Sequence, residues 1–300
     1  MAHVGDTKGA RYMRWILVLV ALGLGACRPL GVLDALTPVA DGPRARNLAY
    51  APGPRGQVDI YWPVSVEPGT PILVFFYGGN WRTGDRADYR FVGEAFAGRG
   101  YITAVPDYRV FPEGRFPAFV QDGAIAVAQI RALVAAQGPP ADGPLILAGH
   151  SAGAHLAMLL ALDPRWLTEA GAPRCAVSAA LGIAGPYDFL PIEGADVREV
   201  FAGAADLRET QPITFASADD PPAVLLAGTA DTVVRPGNSE RLAQALRSAG
   251  GTAALRLYPG IGHSEIVAAL ASPLRGVAPV LVDSDALLRA ALSTPHPSCG

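Results

Sequence analysis

Residues 149–153 have the sequence GHSAG, a serine between glycines in the pattern G-x-S-x-G. A short apolar run at 145–148 precedes the pattern, and an apolar stretch of helical length follows it at 154–162. Between a strand and a helix, this spacing is typical of a nucleophile elbow, in which the glycines permit a strained turn that raises the serine hydroxyl above a sheet. The sequence therefore predicts Ser151 to be a nucleophile.

A serine hydroxyl needs a base to accept its proton, usually a histidine that a carboxylate orients. Of the five histidines, His3 lies near the N-terminus and His296 in a proline-rich tail. His150 and His155 flank the serine on its own turn and helix, from which the ring is not expected to reach the hydroxyl productively. We therefore predict that the base is His263, in a loop after the last predicted strand.

The carboxylate is expected between the serine and the histidine in chain order. Asp231 follows the predicted strand at 223–227, and the carboxyl ends of such strands are where sites of this kind are built. Asp188 and the pair Asp219 and Asp220 are alternatives. They lie in a candidate lid or before the strand, so Asp231 is favoured.

An acyl-transfer site also needs backbone N–H donors for the oxyanion of its tetrahedral intermediate. The residue after the nucleophile, Ala152, is expected to supply one of them. The turn after the apolar run Ile72–Phe76 has the sequence YGGNW at 77–81, whose paired glycines let the backbone approach a substrate closely. Gly79 or Asn80 is predicted to supply the second donor.

Short apolar runs alternate with helical patterns along residues 57–292, which predicts one α/β domain with a mostly parallel sheet in three layers. The segment at 186–221 interrupts this alternation and is a candidate lid. The clearest helices are expected at 117–137 and at 238–249, the second with Asn238 as N-cap and Gly250 beyond its C-terminus. The predicted strands are 58–62, 72–76, 102–105, 145–148, 177–183, 223–227 and 254–258.

The first 26 residues have the pattern of a secretory signal, a basic stretch followed by an apolar run at 16–26. Eleven apolar residues are too few to cross a bilayer, which takes roughly 20. The tetrad LGAC at 24–27 resembles a bacterial lipobox, in which Cys27 would carry the lipid and anchor the protein to a membrane. We expect an exported protein, periplasmic or lipid-anchored, with a linker at 27–56.

Composition narrows the chemistry further. Half of the 300 residues are hydrophobic and the formal charge is −3, which favours a large core and argues against a nucleic-acid surface. The chain has one lysine, Lys8, so Schiff-base and P-loop mechanisms are excluded from the body of the protein. Cys175 and Cys299 could pair or remain free thiols. No cysteine and histidine spacing typical of a metal site is present.

The motifs occur together in an order that resembles the α/β-hydrolase fold, and within it carboxylesterases of the acetylesterase, feruloyl-esterase-like and kynurenine-formamidase-like families. The segments that carry this resemblance are YGGNW at 77–81, DYR at 107–109, FP at 116–117, GHSAG at 149–153, Asp231 and His263. One departure is Tyr77, which stands where the families have a histidine in their HGG loop. The resemblance implies that Asp107 is structural and ties this loop together.

These expectations combine into a serine carboxylesterase that hydrolyses small or medium acyl esters through an acyl-enzyme, with no metal or cofactor. Three loop aromatics, Trp81, Phe111 and Phe116, are expected to line the substrate pocket. Two alternatives stay open: an arylformamidase-like amide hydrolase, and a hydrolase-fold binding protein without activity at the cell surface. The natural substrate and the oligomeric state do not follow from the sequence.

Overall fold

A computed structural model describes residues 29–39 and 41–294. Its eight strands form a single sheet in the order β1-β2-β4-β3-β5-β6-β7-β8. Strand β2 is antiparallel to both of its neighbours, and all strands from β4 to β8 in that order run parallel. The strands are β1 Arg44–Ala49, β2 Gln57–Tyr61, β3 Ile72–Phe76, β4 Ile102–Pro106, β5 Leu145–His150, β6 Val177–Ile183, β7 Ala223–Gly228 and β8 Ala253–Tyr258.

Nine α-helices lie between and beside these strands in the described residues. Every residue of β3 and β5 is buried. Because successive side chains of a strand point to opposite faces, the sheet must be covered on both faces, which confirms the predicted α/β architecture. The helices are α1 Pro29–Leu36, α2 Arg90–Ala97, α3 Ala118–Ala136, α4 Ala152–Leu162, α5 Pro164–Glu169, α6 Ala195–Phe201, α7 Gly237–Ser248, α8 His263–Ala268 and α9 Val280–Leu292.

All seven predicted strands are present, but strand β1 falls in the segment that we expected to be a linker. The sequence of β1, RARNLA, has only one large apolar residue, and the strand pairs at the sheet edge with β2. Its register shifts between Ala45 and Leu48, where Asn47 has a φ of 58°. A half-exposed edge strand with an irregular register has no clean alternation of apolar residues, so the periodicity did not reveal it.

Helix α3 is, within the described residues, the one helix long and apolar enough to cross a membrane by length and composition. It packs instead against the body of the protein, with α4 and α5 as neighbours. A Cβ on Gly123 would lie 3.1 Å from a methyl carbon of Leu160 and 3.2 Å from one of Leu156. This close approach explains the glycine within the helix and identifies α3 as a core helix.

Helix α7 begins at Gly237, with Pro236 before it, so Asn238 is not its N-cap as predicted. The Asn238 carboxamide oxygen instead accepts hydrogen bonds from the backbone N–H groups of Tyr187 at 3.0 Å and Asp188 at 3.1 Å. The asparagine therefore holds the start of the 186–221 segment. At the other end of the helix, Gly250 has a φ of 92°, as a residue that terminates a helix requires.

A buried carboxylate, Asp59, attaches strand β1 to the rest of the protein. The buried carboxylate of Asp59 accepts from the Asn47 backbone N–H at 2.8 Å and from Arg86 Nε at 3.0 Å. Asp59→Ala leaves this N–H and part of the Arg86 guanidinium without their partner, so we expect a loss of about 3 kcal/mol in the free energy of unfolding. Urea denaturation measures it. Asp206→Ala, which removes an exposed pair with Arg208, is the control; equal midpoints for both variants would contradict the prediction.

Candidate active site

The turn between β5 and α4 places Ser151 in a strained backbone conformation, with φ 56° and ψ −124°. A positive φ is rare for a residue with a side chain and persists only where the surroundings enforce it. Here the Ser151 backbone N–H donates to the carbonyl oxygen of Ile183 at 2.9 Å, on the neighbouring strand β6. The sheet therefore holds the turn, and the serine side chain lines a cleft at its carboxyl edge.

The two glycines of the turn are required by close backbone contacts. A Cβ on Gly149 would lie 2.3 Å from the carbonyl oxygen of Gly153, and a Cβ on Gly153 would lie 2.1 Å from that of Phe76. Both distances are far inside van der Waals contact. The G-x-S-x-G spacing therefore follows from the packing of α4 onto the end of β3.

Ser151, His263 and Asp231 form a continuous chain of hydrogen bonds. His263 Nδ1 lies 2.7 Å from Asp231 Oδ2, and His263 Nε2 lies 2.9 Å from Ser151 Oγ. A carboxylate can only accept, so Nδ1 carries the proton of the neutral ring. Nε2 is then free to accept from the serine hydroxyl. The structure thus brings together the three side chains that the sequence analysis selected.

Asp231 is held as an anion by the groups around it. Burial by itself raises the pKa of this carboxyl, but hydrogen bonds from His263 and from the backbone N–H groups of Val234 and Val233 outweigh burial and hold the pKa below its ordinary value. Val233 and Val234 donate to Oδ1 at 2.9 and 2.8 Å, which leaves Oδ2 for the imidazole. The carboxylate is therefore both fixed in position and charged.

The competing aspartates have other partners. Asp188 forms an ion pair with Arg241, and Asp220 accepts from the backbone N–H and the hydroxyl of Ser217. Asp219 lies in the exposed turn that precedes β7. The geometry selects Asp231, because its Oδ2 lies 2.7 Å from His263 Nδ1.

The turn after β3 lines the cleft beside Ser151 and has backbone N–H groups without a protein acceptor in the described part of the chain. Gly79, Asn80 and Trp81 have φ values of 129°, 53° and 56°, three successive residues in the left-handed region. Within the part of the chain that the structure describes, the N–H groups of Gly79, Asn80 and Ala152 donate to no protein group. All three residues line the cleft. Their free donors are what an oxyanion site requires.

Tyr77 takes the place of histidine in this loop without loosening it. Its hydroxyl donates to Asp107 Oδ1 at 3.0 Å, and its carbonyl oxygen accepts from the Tyr108 hydroxyl at 2.6 Å. Burial raises the pKa of Tyr77, so the phenol keeps the proton that it donates. Asp107 also accepts from the Arg86 guanidinium and backbone N–H. Asp107 therefore fastens the base of the loop, in agreement with the structural role expected for it.

The cleft above Ser151 has a volume of about 1230 Å³. The apolar lining, called here the apolar wall, comes mainly from the 186–221 segment. The loop after Asp231 also lines the cleft and includes Val233, which is 71% exposed, and Arg235. Arg241 lines the cleft as well and pairs with Asp188 of the 186–221 segment. The apolar wall consists of Trp81, Phe189, Leu190, Pro191, Ile192 and Val197.

Of the three aromatics expected in the pocket, Trp81 lines the cleft and the other two do not. The Phe111 ring lies under two guanidinium groups, with the Arg82 Cζ 4.1 Å and the Arg115 Cζ 5.2 Å from its centre. Phe116 is buried against other aromatic rings, among them Phe201 with centroids 6.0 Å apart. The prediction for Phe111 and Phe116 is wrong because Phe111 packs against guanidinium groups and Phe116 packs against other aromatic rings, and neither lines the cleft.

Sequence reasoning missed the lid residues that form the apolar wall. The stretch at 187–192, YDFLPI, is mostly apolar, which could have indicated that it packs against another surface. Its apolar residues follow no helical or strand period, so the sequence does not show which side chains face the cleft. Long-range hydrogen bonds orient it: Gln211 Oε1 accepts from Phe189 N at 2.7 Å, and Asn238 holds Asp188. Such partners, 22 and 50 residues away along the chain, are not visible in a local pattern.

The leader at 1–26 and the lipidation candidate Cys27 lie outside the described residues, as does Cys299. Cys175 is disulfide-bonded, so it is not a free thiol. No group of three histidine, cysteine or acidic side chains arranged to hold a metal occurs in residues 29–39 and 41–294.

A serine on a strained turn after the fifth strand of this eight-stranded, mostly parallel sheet is the arrangement of the α/β-hydrolase fold. The BD-FAE family matches residues 58–246, and the chain belongs to that family. A truncated form of a carbohydrate esterase from gut microbiota has the same fold, with a TM-score of 0.73 over 86% of this chain and 100% of that chain at 19% identity. The resemblance inferred from the motifs is confirmed.

Two curated relatives extend this assignment. A probable isoprenylcysteine alpha-carbonyl methylesterase from Oryza sativa subsp. japonica is 31% identical over 258 residues, which cover 79% of this chain and 62% of the relative. A kynurenine formamidase from Salmo salar is 28% identical over 155 residues, 51% of this chain and 49% of that protein. The chain thus spans about half to two thirds of the length of these relatives.

The turn geometry predicts the effect of a single methyl group. Gly153→Ala places a Cβ against the Phe76 carbonyl oxygen, and relief requires α4 to move away from β3. We expect a loss of about 1–3 kcal/mol in the free energy of unfolding, visible as a lower Tm. Gly276→Ala is the matched control, because its Cβ would meet nothing within 4 Å. An unchanged Tm for Gly153→Ala would contradict the packing argument.

Proposed function

We propose that this protein is a serine carboxylesterase in which Ser151, His263 and Asp231 form the catalytic triad. The observation that carries the proposal is the chain of hydrogen bonds through these three residues, which ends beside the free N–H groups of Gly79, Asn80 and Ala152. Nucleophile, base and oxyanion donors in one cleft are the set that acyl transfer from an ester requires.

In the proposed reaction, His263 Nε2 accepts the hydroxyl proton as Ser151 Oγ attacks the acyl carbon. Asp231 keeps the ring in the required tautomer and stabilises the imidazolium that forms. The backbone N–H of Ala152, with that of Gly79 or Asn80, stabilises the oxyanion, and each such donor contributes about 3–4 kcal/mol in related sites.

Collapse of the tetrahedral intermediate breaks the ester C–O bond, and the imidazolium of His263 gives its proton to the departing alkoxide. Water then attacks the acyl-enzyme by the same route. It transfers a proton to His263, and Ser151 leaves with that proton, so the acid is released and the triad is restored. The cycle consumes one water and needs no metal, redox agent or cofactor.

We propose small or medium acyl esters as substrates, in keeping with the short 186–221 lid segment and the apolar wall that it contributes. Amide hydrolysis is the second candidate function, and the similarity to a kynurenine formamidase favours it. The two differ in the leaving group, which a comparison of p-nitrophenyl esters with N-formylkynurenine tests directly. Turnover of N-formylkynurenine well above that of the esters would make amide hydrolysis the first candidate function and ester hydrolysis the second.

Ser151→Ala removes the nucleophile, and we expect kcat on p-nitrophenyl acetate and butyrate to fall by about 10⁴-fold or more. The wild-type protein is expected to be labelled by a fluorophosphonate probe and the variant is not. Ser65→Ala, which changes an exposed loop serine, is the control. Wild-type turnover by Ser151→Ala would refute the proposal, and absence of both labelling and turnover in folded wild-type protein would favour the binding-protein alternative.

We further propose that the protein is exported through its N-terminal signal and anchored by lipid on Cys27. A disulfide-bonded Cys175 is in keeping with an oxidising compartment. Mass spectrometry of the protein from a bacterial membrane fraction is expected to find a mature N-terminus at Cys27 with added lipid, and Cys27→Ser is expected to release it to the soluble fraction. An intact Met1 on a cytosolic protein would overturn this proposal.

A further inference from the structure

His150, the residue before the nucleophile, contacts the catalytic histidine directly. Its Nε2 lies 3.1 Å from the backbone carbonyl oxygen of His263, and the two imidazole rings have centroids 4.8 Å apart. A carbonyl oxygen only accepts, so Nε2 of His150 must carry the proton and donate it. This bond joins residues 113 positions apart in the chain.

The ring of His150 is enclosed on its other side by the oxyanion loop. A Cβ on Gly78 would lie 3.1 Å from His150 Nδ1 and 3.0 Å from the Ser151 Cβ. Nδ1 is buried and has no hydrogen-bond partner within the described part of the chain. The side chain thus has one polar contact within the described part of the chain, the carbonyl oxygen of His263.

The segment that carries His263 is also attached next to the histidine: Gly260 N donates to Thr229 Oγ1 at 2.9 Å, and Ala230 N donates to the Ile261 carbonyl oxygen at 3.0 Å. It begins at Gly260, with a φ of 72°, and continues through Gly262, so two glycines precede the catalytic histidine. Glycine allows a wide range of backbone conformations, and the ring of His263 by itself is tied only through Nδ1 and Nε2. A bond to its backbone restricts the whole residue.

We propose that His150 is a positioning residue: its bond to the His263 carbonyl sets the distance between the nucleophile and its base. The inference rests on the proposed function. Because His150 is the residue before Ser151 in the chain, its bond to the His263 carbonyl oxygen opposes movement of His263 away from the serine. The turn that raises the Ser151 hydroxyl therefore also positions His263, through His150.

His150 is also electrically neutral, as a residue next to the catalytic histidine needs to be. An imidazolium forms on His263 during the reaction, and a second cation 4.8 Å away would oppose it. Burial lowers the pKa of His150 to about 3, with the neighbouring His263 as a smaller contribution in the same direction. His150 therefore stays neutral throughout the pH range in which a histidine base works, and acts only as a donor.

The test compares His150→Gln with His150→Met. Glutamine offers an N–H group at a similar reach, whereas methionine has a similar size and no donor. We expect His150→Met to lose about 10- to 100-fold in kcat on p-nitrophenyl acetate with little change in KM, because misplacement of a catalytic group by about 1 Å has effects of that order. His150→Gln is expected to recover most of the lost kcat. Equal kcat for the two variants overturns the inference.

A second measurement separates positioning from general destabilisation. The proton between His263 Nδ1 and Asp231 is expected to give a downfield proton NMR signal in the wild type and in His150→Gln, and a weakened or broadened one in His150→Met. His155 is the matched control, because its Nε2 makes an equivalent buried bond, 2.7 Å from the Thr210 carbonyl oxygen in the lid segment. His155→Met should lower Tm and leave this signal intact; loss of the signal in both Met variants overturns the inference.

The outcomes also distinguish this inference from the proposed function. If Ser151→Ala abolishes turnover while His150→Met retains wild-type kcat, the esterase mechanism stands and the positioning role fails. If Ser151→Ala retains turnover, the proposed function fails. The NMR comparison of the Gln and Met variants still decides whether His150 orders the His263–Asp231 pair. If His150→Met does not fold, His150→Phe, which preserves a flat ring without a donor, takes its place.

Discussion

The close approach of the nucleophile turn to the end of strand β3 is the constraint on which the rest of the site depends. Gly149 and Gly153 leave no room for a Cβ, and the contact with the Phe76 carbonyl fixes both the height of Ser151 and the start of helix α4. Because Phe76 is directly followed by the YGGNW loop, the same contact sets Ser151 beside the free backbone N–H groups of that loop. One packing constraint therefore positions two segments that are separated by about 70 residues in the chain.

Around this contact, polar groups hold the backbone segments that carry function. Asp107 receives hydrogen bonds from Tyr77 and Arg86 below the oxyanion loop. Asp231 receives two backbone N–H groups in addition to His263. In each case the carboxylate is buried and its bonds satisfy it, which is the condition under which a buried charge stabilises a structure. The loops at the carboxyl ends of the strands are thus held in place by these hydrogen bonds.

Periodicity and chain order predicted much of this molecule. Central strands such as β3 and β5 are continuous apolar runs because both sheet faces are covered, and all seven predicted strands are present. Chain order and elimination identified Ser151, Asp231 and His263, since a loop that follows a parallel strand must open at the same edge of the sheet. Strand β1 was not predicted, because an edge strand with exposed polar residues has no continuous apolar run. The sequence did not show how the loop is held with Tyr77 in place of the histidine of the HGG loop. In the structure, the Tyr77 hydroxyl donates to Asp107, 30 residues away.

By itself, the sequence determined the fold class, the residues available for catalysis and their order, because these depend on local apolar patterns and on residue type. Only the tertiary structure decided which side chains form the cleft. Phe111 and Phe116 face away from it, and Phe189 and Leu190 face into it, because long-range hydrogen bonds and aromatic packing orient loops that have no period of their own. The contact of His150 with the His263 carbonyl is of the same kind: it joins residues 113 positions apart in the chain, which meet only in the folded protein.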